Sequence, residues 1–353
     1  MAESARKQIS LWLLCGVVMI YIQIILGGIT RLTGSGLSIT KWEIITGSLP
    51  PLKEADWHNE FDKYKDTPQY HKLNHGMSLA EFKFIYFWEY IHRLWARAMG
   101  FVFAIPFAIF LFQKKMPVSL IRKLGFLILL ASLVASFGWI MVKSGLVNRP
   151  WVDAYKLTMH LSLALITYGY CFWLFLEVLY EHYSVKRTGL TKLSAVLLAV
   201  LSFQLVLGGL MSGMRAGLLY PTFPDMNGAI IPDVLLSVSN WSFQSFIYYD
   251  VNTFAPTLVQ FIHRLTAYLL VIMVVLFFFQ ARSAGFNSPL RVGINILLPV
   301  ILVQVLLGIL TVINFRGEVP VLLGVLHQAV AILLLTVVLF NHFLLRKGMS
   351  LRP

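Results

Sequence analysis

The stretch YIQIILGGITRLTGSGL, residues 21–37, returns as SFQLVLGGLMSGMRAGL at residues 202–218. Without a gap the two share the glutamine (Gln23, Gln204), the LGG triplet and the closing GL. Both sit at the end of an apolar run, and the sequence around each continues the correspondence. EYIHRL (89–94) follows the first copy and QFIHRL (260–265) the second. Further on, His160 stands in KLTMHLSLA and His327 in GVLHQAVA. The chain is therefore a tandem duplication, and each copy holds an even number of apolar runs. Even-numbered repeats keep the same orientation, related by an axis along the membrane normal.

Hydrophobic residues make up 58% of the 353 positions and charged residues 13%. Apolar runs of about 20 residues are the signature of membrane-spanning helices. Eight occur, at 9–29, 84–112, 121–142, 154–179, 191–211, 255–280, 291–313 and 320–345. The reading is an all-α polytopic membrane protein, its eight transmembrane helices forming two tandem pseudo-symmetric four-helix bundles over residues 1–185 and 186–353. Cofactor sites in such bundles are built in the core from side chains on facing helices. A net charge of +13 raises nucleic acid as a partner. The cations are scattered at helix ends instead of forming one polar face, which argues for membrane topology and against nucleic acid. Arg6 and Lys7, Lys114 and Lys115, Lys186 and Arg187, Arg282 and Arg291, and Arg346 and Arg352 fall at alternate ends of the runs. By the positive-inside rule those ends, and both termini, are cytoplasmic. The long outer loop, residues 30–83, balances seven Lys and Arg with seven acids. The run starting near Ile9 is too long for a signal h-region and lacks a small-residue cleavage site. Cys15 and Cys171 both lie inside apolar runs, where buried inert thiols are expected and a thiolate metal site is not.

Of nine histidines, His92, His160, His263 and His327 lie well inside spans. They follow the outer starts of their runs by eight residues (from Phe84), seven (Asp153), seven (Pro256) and seven (Pro320). At 1.5 Å per residue all four stand about 10–12 Å from the outer edge. They form one layer, two per repeat. A single intramembrane histidine reads equally well as a hydrogen-bonded core residue. Neutral imidazole is the commonest metal ligand, and two facing imidazoles suit the axial positions of a haem iron. A proton relay would string groups across the membrane, and zinc would need more ligands per site. The four histidines are thus candidate axial haem-iron ligands. Arg93 and Arg264 follow two of them and are candidate partners for haem propionates, with snorkelling as the alternative. His58, His71, His75, His182 and His342 lie at loops or span ends and read as solvated or interfacial. The pairs Gly27–Gly28 and Gly208–Gly209 read as sites of close helix packing that could also make room for a flat ligand.

The two copies differ at one chemically important position. Glu89 precedes His92 by three residues and shares its helix face, whereas the matching residue beside His263 is Gln260. A carboxylate beside a bound ligand can act as base or nucleophile, and an amide cannot titrate. Glu89, His92 and His160 are therefore the candidate catalytic set, and the second copy is suited to a permanent cofactor. A salt bridge from Glu89 to Arg93, four residues on, is the structural alternative. Arg97 has Tyr268 as its counterpart and receives no common role.

GGITRLTGSGLSITKWEIITGSLPPL (27–52), FWEYIHRLWAR (87–97), PDMNG (224–228) and QFIHRL resemble the haem A synthase family over nearly the whole chain. Within it they are similar to the branch shared by proteobacterial and mitochondrial members. The resemblance implies oxidation of one ring methyl of haem O to a formyl group, through hydroxylated intermediates, giving haem A for cytochrome c oxidase. It implies substrate haem O between His92 and His160, Glu89 at the family's essential glutamate, and haem b between His263 and His327. Haem O synthase and oxidase assembly factors are the implied partners, homo-oligomers are compatible with it, and the setting is a bacterial cytoplasmic membrane. Some members carry a cysteine pair in the first outer loop; residues 30–83 have none, which excludes a dithiol role. In that loop Trp42, Trp57 and Tyr64 are available for porphyrin contact. The competing functions are a haem carrier or assembly factor and a quinol-linked b-type electron-transfer subunit. The latter commonly places two core histidines on one helix, which no helix here does. A transporter fits least, because its polar groups would line a path.

Overall fold

The computed structural model describes residues 1–40, 50–145, 150–186, 189–286 and 289–349. Trp42, Arg187 and Arg352, invoked above, lie outside the described residues. Eight helices are long and apolar enough to cross a membrane: α1 (Glu3–Leu32), α4 (Leu79–Phe112), α5 (Val118–Gly145), α6 (Ala154–Leu179), α7 (Leu190–Gly213), α10 (Phe254–Ser283), α11 (Leu290–Ile313) and α12 (Val321–Arg346). Each apolar run falls on one of them. Shorter helices occupy the connections: α2 (Glu54–Lys65) and α3 (Pro68–Leu73) precede α4, while α8 (Asp233–Leu236) and α9 (Phe243–Ile247) precede α10. Among the described residues, the β structure is a two-residue parallel ladder, Val185–Lys186 with Gly348–Met349, and an isolated bridge between Met226 and Ala229. Side chains such as Leu11, Phe101 and Phe112 stay exposed on the long helices, as lipid-facing surfaces require.

The chain divides into two compact units, Met1–Tyr168 and Gly169–Pro353. The second half of α6 packs within the second unit, where Trp173 meets Phe343 edge-on at 4.9 Å and Gly169 lies against Leu339.

In the first unit α4 begins five residues before the apolar run does. Ser78 and Glu81 form a reciprocal capping box that fixes the helix start at Leu79. The connection before it carries a small core of its own: Phe61, Tyr64, Phe82, Ile85 and Tyr86, with Trp57 and Tyr70 packed on it. The Tyr64 hydroxyl donates to Gln69 Oε1 at 3.1 Å and accepts from Asn74 Nδ2 at 2.7 Å. Burial pushes its phenol up to about 12. Tyr64 therefore builds the loop's core and is not available for porphyrin contact; Trp57 is turned against Tyr86, 5.1 Å away. Gln69 Nε2 in turn donates to Gly34 O, tying this core to the chain leaving α1.

Pro106 lies inside α4 and cannot donate to the carbonyl one turn earlier, that of Val102. In lipid such a carbonyl must find another donor. The indole of Trp12 on α1 supplies it, Nε1 to Val102 O at 3.2 Å, with its ring against Phe103, Phe107 and Phe110. Trp95 reciprocates from α4, donating to Met19 O on α1 at 2.9 Å.

In the second unit α7 packs on α10 and α12, and α11 on α10 and α12. At the far end of α12, His342 is buried and not interfacial, so α12 does carry two core histidines, His327 and His342, contrary to the expectation that no helix would. His342 is engaged locally, its Nδ1 2.9 Å from Ser194 Oγ on α7 and Trp173 alongside. His58, His71, His75 and His182 are exposed as expected. Cys171 is buried, whereas Cys15 is on the exposed face of α1.

The Trp12–Pro106 compensation predicts a coupled pair. Trp12→Phe should cost about 1–3 kcal/mol by orphaning the Val102 carbonyl. Much of that polar penalty should disappear in a Pro106→Ala background, where residue 106 regains its N–H. Unfolding midpoints of the two single variants and the double variant check this.

Candidate functional site

Each of the four spanning histidines stands opposite a glycine on another helix of its own unit. A methyl group on Gly27 of α1 would come 3.3 Å from His92 Nε2 on α4, and one on Gly138 of α5 only 2.9 Å from His160 Cε1 on α6. In the second unit a methyl on Gly208 of α7 would meet His263 Cε1 at 3.8 Å, and one on Gly308 of α11 would meet His327 Cε1 at 3.0 Å. At Gly138, Gly308 and Gly27 the absence of a side chain lets an imidazole lie against a helix backbone, whereas at Gly208 a methyl would make only ordinary contact. Gly27 and Gly208 belong to the repeated LGG triplets, so their part in close packing was legible; that they pack on histidines was not. Gly138 was missed because it is a lone glycine in an apolar run; Gly308 was missed although QVLLG (304–308) repeats the Gln-x-x-Leu-Gly spacing of QIILG (23–27) and QLVLG (204–208).

The histidines also pair within units. His92 and His160 are close enough to interact electrostatically, and so are His263 and His327. All four lie deep in their helices yet are only partly covered by protein. His160 Nδ1 is 3.0 Å from the carbonyl of Val134. A carbonyl only accepts, so Nδ1 carries the proton and Nε2 presents its lone pair. At the equivalent place in the second unit Gln304 Nε2 lies 3.1 Å from His327 Nδ1. His263 Nδ1 is buried with no hydrogen-bond partner among the described residues. The repeated glutamines fix the backbone of the first histidine of each pair: Gln23 Nε2 donates to His92 O at 3.2 Å and Gln204 Nε2 to His263 O at 3.0 Å.

Directly after His92 and His263 in the chain, the arginines grip the segment that leaves the first helix of each unit. Arg93 donates to Ile39 O at 3.2 Å, and Arg264 to Tyr220 O at 2.9 Å. Ile39 and Tyr220 occupy the same place in the repeat, so this clamp is duplicated too. Arg264 also donates to Asp225 O at 2.6 Å, inside the PDMNG turn. There the Thr222 hydroxyl, the Gly228 backbone and the Arg264 charge hold the Asp225 carboxyl below its ordinary value.

The neighbouring position breaks the symmetry. Gln260 donates through Nε2 to Tyr220 O at 3.0 Å. Glu89 only accepts: from Ser38 Oγ at 2.7 Å, from the Ile39 N–H at 2.8 Å and from Arg93 Nη2 at 2.5 Å. The ion pair with Arg93 read as the structural alternative is therefore formed, and the Glu89 side chain is 3% exposed. Ser38 and Ile39 could not be assigned to Glu89 from the sequence, because they lie some fifty residues away in an irregular segment.

A relative named "Heme A synthase" from Nitrosospira multiformis is 41% identical over 349 residues, covering 98% of this chain and 95% of its own. The profile of the cytochrome oxidase assembly protein family, COX15-CtaA, matches residues 10–339. The chain belongs to the haem A synthase family. Relatives of the same name from Paramagnetospirillum magneticum and Flavobacterium psychrophilum are 40% and 37% identical, over 96% and 94% of this chain and 94% and 96% of theirs. As a member of the haem A synthase family, the chain carries its duplicated histidine layer on helices that these relatives match nearly end to end.

The glycine contacts predict a graded response. Gly308→Ala should overpack the His327 ring and cost about 1–3 kcal/mol, while Gly208→Ala, with nothing closer than 3.8 Å to its new methyl, should be tolerated. Thermal unfolding of the two purified variants beside the wild type separates them.

Proposed function

We propose that this chain oxidises haem O to haem A, converting one ring methyl to a formyl group through hydroxylated intermediates. The first half binds haem O between His92 and His160, and the second holds a haem b between His263 and His327. The observation that carries the reading is the pairing, in each unit, of two partly covered imidazoles backed by glycine. The residues fit a haem: the rings are neutral-imidazole donors set against backbone without Cβ, and His263 Nδ1 is a buried polar atom in want of a partner. When bound, haem b supplies one-electron redox chemistry.

The chain's own residues position and polarise. Val134 O holds the proton of His160 on Nδ1, so that Nε2 keeps the lone pair that would bind the haem iron, and Gln23 fixes the helix turn bearing His92. Glu89, held by Ser38, Ile39 and Arg93, keeps a carboxylate one turn from His92 in the half that receives substrate. There it accepts a proton or stabilises developing positive charge near the reacting methyl. Gln260 places an amide at the matching point, which suits a haem that is not altered. Arg93 and Arg264 each combine a backbone clamp with a positive charge suited to a propionate. In this reading the termini face the cytoplasm of a bacterial inner membrane, and haem O synthase and oxidase assembly factors are the partners.

A second reading of Glu89 rests on its three hydrogen bonds: it is a structural clamp on residues 38–39. Co-expression with a haem O synthase, followed by extraction and identification of the haems, distinguishes the two. The wild type should yield haem A, and Glu89→Gln should retain bound haem yet leave haem O or a hydroxylated product. Normal conversion by Glu89→Gln would reduce the glutamate to its clamping role. Haem O alone from the wild type would make the chain a carrier.

A further inference from the structure

The connections after α1 and α7 occupy matching places in the repeat but are built in opposite ways. Residues 50–78 hold nine charged side chains in 29 positions and turn their aromatic residues inward, with Tyr64 fully buried. Residues 229–253 hold two charged side chains, Asp233 and Asp250, in 25 positions, with no Lys or Arg. This segment already has an inward apolar face: Leu235 and Tyr249 are buried, and Trp241 and Phe246 pack on Phe254 at the start of α10. It nevertheless turns a second apolar set outward. Ile230 is 86% exposed, Val238 85% and Val251 87%, and Trp241, Phe243 and Tyr248 are exposed with them. An outward apolar patch on a loop that has already filled its own core calls for a non-aqueous neighbour. Both ends of the segment run into spanning helices, α7 through the PDMNG turn and α10 directly, so it is pinned at a membrane surface. The Trp241 N–H is satisfied internally by Leu235 O at 2.9 Å, so the part of the ring not packed on Phe254 faces outward with no donor left to hydrate. Tyr and Trp at this level match the aromatic belt of membrane interfaces.

We propose that residues 229–253 are a membrane-seated element, lying in the headgroup region of the adjoining leaflet with Val238, Phe243 and Val251 immersed at the acyl boundary. The occupant of the exposed apolar face is lipid. Its anchoring is hydrophobic and needs no anionic headgroup, because the segment has no cation to recognise one. The test uses the full-length protein with its haem in vesicles of zwitterionic phosphatidylcholine. Single cysteines are placed at Val238, Phe243 and Val251 in a Cys15→Ala/Cys171→Ala background and spin-labelled. Collision with oxygen, which partitions into lipid, is compared with collision with a water-soluble nickel chelate. Asp62→Cys in the first connection serves as the hydrated reference and Ile272→Cys on α10 as the lipid reference. The oxygen-to-nickel ratio at the three positions should lie several-fold above the Asp62→Cys value, toward that of Ile272→Cys. Ratios equal to the Asp62→Cys value would overturn the proposal and assign the face to a protein partner or a second copy. Without any label, brominated phosphatidylcholine should quench wild-type tryptophan fluorescence more than that of Trp241→Phe; equal quenching counts against the proposal.

Discussion

An imidazole at membrane depth and a glycine on the facing helix form the contact on which both units depend. Hydrocarbon offers the ring no hydrogen bonds, so its polar atoms must be met by protein or by a ligand. Setting the ring against bare backbone brings the helices close, and at His160 the backbone also supplies the orienting acceptor, Val134 O. The other ring nitrogen is then left to whatever enters the space beside it. This contact occurs four times, at Gly27, Gly138, Gly208 and Gly308, always with one of the four histidines. Its repetition is what supports the proposal that the layer is a set of ligand positions and not four separate core histidines.

A second duplicated device holds the mouth of each unit. Arg93 and Arg264 grip the carbonyls of Ile39 and Tyr220. The device is conserved between the copies down to the residue, while the side chain beside it changes from an acceptor, Glu89, to a donor, Gln260. The change reverses the polarity of one hydrogen bond: Glu89 takes the Ile39 N–H, and Gln260 gives to the Tyr220 carbonyl. Under the proposed function, a duplication that keeps the clamp and alters one titratable group is a physical route from two like binding sites to one site for substrate and one for cofactor.

Hydrophobic runs, the repeat and the histidine layer were legible because each is periodic or duplicated. Helix ends were less so: α4 starts at a capping box that lies before its apolar run. Tyr64 looked like a free aromatic in a polar loop, and Phe61, Phe82 and Tyr86 enclose it through contacts across that loop. His342 looked interfacial from its place near a span end, and the Ser194 hydroxyl on α7 gives it a buried partner. Gly138 carried no signal beyond its own identity, whereas Gly308 shares the Gln-x-x-Leu-Gly spacing of Gly27 and Gly208. In each case the missing information was a tertiary contact. The Glu89–Gln260 difference was the exception: a single-residue asymmetry visible in sequence whose meaning sharpened once Ser38, Ile39 and Arg93 were seen around it.

The central claim is that the two histidine pairs are separate haem sites. Low-temperature electron paramagnetic resonance of purified protein, with haem counted per chain, tests it most directly in wild type, His92→Ala and His327→Ala. The account predicts two low-spin haem signals in the wild type loaded with haem O. The signal lost in His92→Ala should be the one that His327→Ala retains. Loss of the same signal in both folded variants, or of neither, would contradict it.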